Sequence, residues 1–186
     1  MGRTLHLNLG QSNGGGRLAG FDIQNYKNLI RATITQINFC LPISLALHQA
    51  SLSDPRIHSV AHSILKEIGY FLQVTRDYVN CYVDPFGMDI KDGRITWLII
   101  VARQRANSSQ LATLEECYGR PEPESVAEVK RIYKELNLKK ISTAHMNETR
   151  DDIHKQIQQL SKLDDVGLNQ EFFFKLIENM NAQQIS

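Results

Sequence analysis

Residues 71–97 read FLQVTRDYVNCYVDPFGMDIKDGRITW, and the reading of this stretch organises the rest of the chain. Just upstream, Ile57, Val60, Ala61, Ile64, Leu65, Ile68, Leu72, Thr75 and Val79 recur at three- and four-residue steps, the period of a helix with one apolar stripe. Asp54-Pro55 marks the start of that helix. An aspartate suits the N-cap, and proline at the first helical position gives up an N–H that has no partner there anyway. The helix is expected to run to about Val83 and to deliver Gln73, Arg76, Asp77 and Asn80 at its C-terminal end. Between Asp84 and Asp89 only Pro85-Phe86-Gly87-Met88 intervene, and a buried helix is then expected over Ile90 to Ala106, with Trp97 opening its apolar centre.

Working outward, every periodic segment reads as helix, so the fold class expected is all-α, with no credible strand. The first helix spans about Asp22 to Ala50, with Ile23, Tyr26, Leu29, Ile30, Thr33, Ile34, Ile37, Leu41 and Leu45 on its stripe and a kink at Pro42. After the central stretch, a helix starting at Ser108 is stopped by Gly119. Pro123 to Asn137 follows, with Val126, Val129, Ile132, Tyr133 and Leu136 on one face, and helices over about Ile141–Leu163 and Asn169–Ala182 close the chain. Residues 1–21 form a separate glycine-rich segment ahead of a helical region over 22–186. With no Gly-Lys-Ser/Thr after it and no strand before it, that segment reads as a turn or linker rather than a phosphate loop.

Composition excludes some partners. The chain has 186 residues, enough to bury a substantial core, and 21 Lys+Arg against 20 Asp+Glu. So even a balance disfavours non-specific nucleic-acid binding and polybasic membrane attachment. Cys40, Cys81 and Cys117 are odd in number and lack CxxC spacing, which suits free thiols in a reducing compartment. The opening residues do not form the apolar run of a signal peptide, and the chain ends without a prenylation box. Ile34 to Leu47, the most apolar stretch, is interrupted by Gln36, Asn38 and Pro42 and reads as too short and polar to span a bilayer. A cytoplasmic protein without a membrane span is expected.

The central stretch resembles the second aspartate-rich region of the trans-isoprenyl diphosphate synthases, most closely the farnesyl diphosphate synthase branch. There the pattern is F-Q-x-x-D-D-Y-x-D, a Gly/Lys-bearing loop, then T-D-I-x-D-x-K-x-S-W. Here the skeleton is Gln73, Asp77, Tyr78, Asp84-Pro85, Asp89-Ile90, Asp92, Arg94 and Trp97. Further likenesses run in order along the chain. Gly2-Arg3-Thr4-Leu5-His6-Leu7 is similar to G-Q-T-L-D-L, Tyr26-Lys27 through Leu41-Pro42 to a Y-K…L-P helix, and Gly119 through Leu136 to G-x-x-x-x-E-x-V-A-x-V-K-x-x-Y-x-E-L. The resemblance implies the C-terminal half of an isoprenoid-synthase-type helical bundle. It also implies the family reaction, condensation of isopentenyl diphosphate with an allylic diphosphate whose departure Mg²⁺ assists.

The same alignment shows what this chain has changed. Arg76-Asp77-Tyr78-Val79-Asn80 stands where the family has D-D-Y-x-D, so the motif side chains sum to zero formal charge rather than minus three. Mg²⁺ takes oxygen ligands, and a guanidinium cannot serve as one. The family's phosphate-binding lysine falls on Thr33, its neighbouring threonine on Ile34, and the loop lysine has no counterpart. Arg31, two residues before Thr33, is offset by roughly 200° round the helix. No D-D-x-x-D box occurs. Asp151-Asp152 and Asp164-Asp165 each lack a third carboxylate and read as exposed surface. By resemblance, Asp77 and Asp89 are the remaining Mg²⁺ ligand candidates, and Gln73, Arg76 and Arg94 the candidates for holding a diphosphate. Asp89 and Asp92 could equally cap the following helix, Arg94 could be plain surface, and His58 and His62, at i and i+4, read as solvated rather than zinc-binding. Two functions stay open. One is a prenyltransferase or terpene-synthase-like derivative using isoprenyl diphosphates. The other is a non-catalytic paralogue that pairs, as homodimer or heterodimer, with a complete prenyl synthase.

Overall fold

The computed structural model describes residues 18–52, 54–83, 87–160 and 169–185, with side chains as far as residue 179. The glycine-rich opening up to residue 17 with its Gly2–Leu7 match, Asp84-Pro85, and Asp164-Asp165 lie outside the described residues. The rest folds into α1 (Ile23–Ile30), α2 (Leu41–Gln49), α3 (Pro55–Tyr82), α4 (Met88–Lys91), α5 (Trp97–Arg105), α6 (Ser108–Cys117), α7 (Pro123–Glu135), α8 (Leu138–Gln159) and α9 (Gln170–Ile185). No strand occurs among the described residues, as expected.

The first helix is continuous over Ile23–Gln49, but it reaches Pro42 through a π-helical stretch, Arg31–Cys40. Proline has no N–H to give, and its ring would press on the carbonyl four residues back. The wider turn before it relieves both problems, and the Leu41 N–H bonds Gln36 O instead of an α-register carbonyl. The widening also resets which side faces inward. Tyr26 and Ile30 are buried as the stripe predicts, but Ile37, Leu41 and Leu45 are 62%, 54% and 63% exposed, and Thr35, Phe39, Cys40 and Leu47 are buried in their place. By length and composition alone, the helix Ile23–Gln49, 27 residues with an 18-residue window of mean hydropathy 1.3, is long and apolar enough to cross a membrane, whereas Ile34 to Leu47 by itself was expected to be too short and too polar.

The chain divides into two compact units. One comprises residues 27–76 and 143–185, with α3 as far as Arg76. Its core joins Phe39, Cys40 and Leu47 to Ile57, Ala61, Ile64, Leu65, Ile68 and Leu72 of α3, Ile153 and Ile157 of α8, and Phe173 and Ile177 of α9. Asp54 caps α3 as read, accepting the Arg56 N–H at 2.8 Å. His58 and His62 are half-buried rather than solvated: His58 Nε2 lies 3.1 Å from Leu52 O, and His62 Nε2 lies 2.8 Å from the Ser44 hydroxyl. Asp151 and Asp152 are exposed, as the sequence implied.

The other unit comprises residues 18–26 and 77–142 as far as they are described. Its α7 packs against α4, α5 and α6 through a face that buries Val126, Val129, Ile132 and Tyr133. The helix expected over Ile90–Ala106 is two helices. Gly93, at φ +63°, ends α4, and its Cα side faces the Gly119 backbone so closely that a Cβ would sit 3.1 Å from Gly119 Cα. Thr96, extended at φ −122°, then caps α5 by accepting the Ile99 N–H at 3.3 Å.

Candidate functional site

The candidate residues fall into two groups, one in each unit. In the unit built on α4–α7, Asp77 is 2% exposed. Its Oδ2 accepts the Tyr26 hydroxyl at 2.6 Å and the Trp97 backbone N–H at 2.8 Å. Trp97 is the first residue of α5, and that helix carries no acidic side chain in its own first turn. Asp77 supplies the negative charge that the helix N-terminus favours, from a different helix. A buried carboxylate is costly unless hydrogen-bonded, and this one is bonded twice on a single oxygen.

Asp89 is also buried, at 6% exposure. Asn80 Nδ2 donates to its Oδ2 at 3.0 Å, and Arg94 Nη1 pairs with its Oδ1 at 3.2 Å. Arg94 extends the pairing through Nη2 to Asp92 Oδ2 at 3.0 Å. Neither aspartate caps the helix that follows: α4 begins at Gly87 with no side-chain cap, and Thr96 serves α5. Arg94 is neither plain surface nor aimed at an empty site. It is half-exposed and holds two carboxylates. Asp77, Asn80 and Asp89 line a narrow pocket with Cys81, Thr96 and Tyr118. Burial pushes the Cys81 thiol up to about 12 and raises the Tyr118 phenol, which donates to Arg94 O at 2.7 Å. Both groups therefore stay protonated near neutral pH, which disfavours the thiolate that a cysteine nucleophile needs.

In the other unit, Gln73 and Arg76 line a pocket of ≈ 360 Å³ together with Ile34, Asn38, Phe39, Leu72 and Leu176. Thr33, at the family's lysine position, turns its hydroxyl back to Leu29 O at 2.7 Å, and Arg31 is exposed. Sequence reasoning missed the partners of Asp77. Tyr26 lies 51 residues and Trp97 20 residues away in sequence, and nothing local announces either bond.

The polyprenyl synthetase family pattern matches residues 5–136. The chain belongs to the polyprenyl synthetase family. It is 35% identical over 178 residues to the farnesyl pyrophosphate synthase of Murgantia histrionica, covering 87% of this chain and 43% of that protein. Against the Bos taurus farnesyl pyrophosphate synthase it is 32% identical over 164 residues, covering 86% and 46%. A solved structure of a T. brucei farnesyl pyrophosphate synthase, in complex with 2-(5-chlorobenzo[b]thiophen-3-yl)acetic acid, superposes with a TM-score of 0.75 at 24% identity, covering 91% of this chain and 51% of that one. The chain therefore spans about half the length of the relatives it matches, and its fold is the all-α fold of that synthase.

Polyprenyl synthetases of this kind generally use Mg²⁺. The donor set here does not fit the ion. The first position of the motif is Arg76, a cation, and Asn80 turns its amide nitrogen toward Asp89. Both remaining carboxylates are buried and already bonded to internal donors or a guanidinium. Among the described residues, no three His, Cys, Asp or Glu side chains converge as a metal site.

Proposed function

We propose that this chain serves isoprenoid-diphosphate metabolism in the cytoplasm as a farnesyl-diphosphate-synthase-like protein that carries out no prenyl transfer alone. It works as the partner or modifying subunit of a complete prenyl synthase. The observation that carries this reading is the state of Asp77 and Asp89. The family reaction needs carboxylates free to hold Mg²⁺ against a leaving diphosphate, and these two are committed to Tyr26, Trp97, Asn80 and Arg94. Arg76, which is exposed, is the candidate that could meet an anion, whereas Arg94 is engaged.

The partner role is supported by the exposed apolar row Ile37, Leu41 and Leu45 on the first helix. Side chains four apart lie on one helical face, and a face so apolar favours a cover. The chain spans about half the length of the relatives it matches. The test is Mg²⁺-dependent condensation of isopentenyl and geranyl diphosphates by the purified chain, alone and mixed with a complete synthase, with association followed by analytical ultracentrifugation. We expect no turnover alone and a stable mixed complex. Robust turnover alone, or failure to associate with any synthase, refutes the reading.

The half-length match favours one further reading, that the chain is catalytic within a longer polypeptide. Sequencing the full transcript tests it: an upstream in-frame D-D-x-x-D box supports it, and an upstream stop codon ends it.

A further inference from the structure

We propose that Ser108 is a phosphorylation site for a protein kinase that selects arginine three residues before its serine, and that Arg105 and the start of α6 then hold the phosphate. Residues 103–108 read Arg-Gln-Arg-Ala-Asn-Ser. Kinases choose substrates largely by charge at fixed offsets from the acceptor hydroxyl, and a guanidinium meets carboxylates beside the kinase cleft through strong charge-assisted bonds. Arg105 stands at that offset, exposed and with no hydrogen-bond or ion-pair partner among the described residues. Arg103, two residues further back, is already used: its Nη1 donates to Phe21 O at 2.6 Å. Recognition therefore falls on Arg105.

The backbone supplies access. Ser108 is exposed, and its hydroxyl has no hydrogen-bond partner among the described residues. The two residues before it, Ala106 (φ −66°, ψ 139°) and Asn107 (φ −73°, ψ 173°), are extended, the form in which a chain lies along a kinase cleft. Spacing alone does not single out Ser108, because Arg56 stands three residues before Ser59, which is also exposed. Arg56, however, is paired with Asp54 at 2.6 Å, and Ser59 lies inside α3, whose neighbouring Ile57, Ala61 and Ile64 belong to the core. Presenting Ser59 means unwinding a core helix. Presenting Ser108 means opening only the first turn of α6, held by the Asn107–Gln110 capping box, and helix ends open at low cost.

In the transfer, Ser108 Oγ attacks the γ-phosphorus of ATP. The new O–P bond replaces the bond to the bridging oxygen, ADP leaves, and the hydroxyl proton passes to the kinase's aspartate base. The product carries about two negative charges on the first residue of a helix with no acidic side chain in its first turn. That helix end favours negative charge, and the unpaired Arg105 guanidinium can give the phosphate charge-assisted hydrogen bonds. The site lies wholly within residues 77–142, so this inference stands whether or not the chain associates with a synthase.

The test is incubation of the full chain with ATP and either protein kinase B or calmodulin-dependent protein kinase II, which share a requirement for arginine at that offset. Phosphate is mapped by mass spectrometry of the digested product. We expect it on Ser108, absent from Ser108→Ala, and attached roughly ten- to hundredfold more slowly in Arg105→Gln, the loss typical of one charge-assisted pair. Both substitutions fall on exposed side chains, so the variants should fold as the native chain does. The phosphorylated native chain should melt about 1–4 °C higher than the unmodified one, and phosphorylated Arg105→Gln should gain less. No transfer by either kinase, phosphate chiefly on Ser59 or another residue, or an undiminished rate on Arg105→Gln overturns the site. A phosphorylated chain that melts no higher than the unmodified one overturns the role given to Arg105 and α6.

Discussion

Substituting Asp77 separates a carboxylate kept for architecture from one kept for chemistry. Its Oδ2 takes hydrogen bonds from Tyr26 and from the first N–H of α5, at 2.6 and 2.8 Å. Hydrogen bonds to a charged group contribute about 1.5–3 kcal/mol each, so Asp77→Ala should cost about 3–6 kcal/mol. A typical domain has only about 5–15 kcal/mol in total, so that variant risks being unfolded. Asp77→Asn is the gentler probe. It keeps an acceptor oxygen but loses the charge, and should cost about 2 kcal/mol. Tyr26→Phe removes one donor and should cost about 1–2 kcal/mol. The Asp77→Ala/Tyr26→Phe double variant should lose at least about 1 kcal/mol less than the sum of its two single variants, because each of these removes the same bond. Urea melts followed by tryptophan fluorescence suit the question: Trp97 is the chain's only tryptophan and its own backbone N–H is a donor. If Asp77→Ala melts within about 0.5 kcal/mol of the native chain, the carboxylate is not a structural fastener and the case against a metal site loses its basis.

Asn80→Asp would set a second carboxylate against Asp89 in place of the amide donor at 3.0 Å, and should cost about 1–2 kcal/mol in EDTA. Combined with Arg76→Asp, it should confer a Mg²⁺-dependent rise in melting temperature; no rise means that restoring the two carboxylates of the motif does not restore metal binding. His145, whose Nε2 lies 2.9 Å from the Tyr70 hydroxyl, is held below its ordinary value of 6.5, chiefly by burial and further by Lys27, against an opposing pull from Glu148. The unfolded chain then binds the proton more readily than the folded one. This contribution to stability is complete above about pH 6.5 and is lost as pH falls from there toward the folded value, and His145→Gln should flatten that part of a melting-temperature profile. A Cβ at Gly69 would lie 2.3 Å from the Thr35 hydroxyl, which is buried without a hydrogen-bond partner among the described residues. Gly69→Ala should cost about 1–3 kcal/mol, and Thr35→Ala should recover most of it in chemical melts.

Much of the fold is legible where burial follows a single helical period. From Ile57 to Leu72 the apolar positions of α3 were named by spacing alone, and most of them are core residues. The reading went wrong where the period itself changes. No local signal sets the wider turns of Arg31–Cys40 apart from α-helix until Pro42 arrives, so Ile37, Leu41 and Leu45 were assigned to the wrong side. The break before α5 was written as Asp92-Gly93 and Thr96, a stop followed by a cap, but an apolar run on both sides masked it. Asn107 and Gln110 form a capping box whose N-x-x-Q spacing could have been read and was not. Of the candidate site, the altered charges of Arg76 and Asn80 were plain in the sequence. The engagement of Asp77 and Asp89 was not, because hydrogen bonds across 20 or 51 residues leave no local pattern.

The distribution of the three thiols gives the protein a ready point of attachment. Cys40 and Cys81 are buried, and burial raises both thiols, so maleimide or iodoacetamide should pass them by in the native chain. Cys117, at the end of α6 and partly exposed, should alkylate first. A dye or spin label can therefore be placed on the unsubstituted polypeptide at one known position, remote in sequence from both Gln73 and Arg76, and used to watch a second chain arrive.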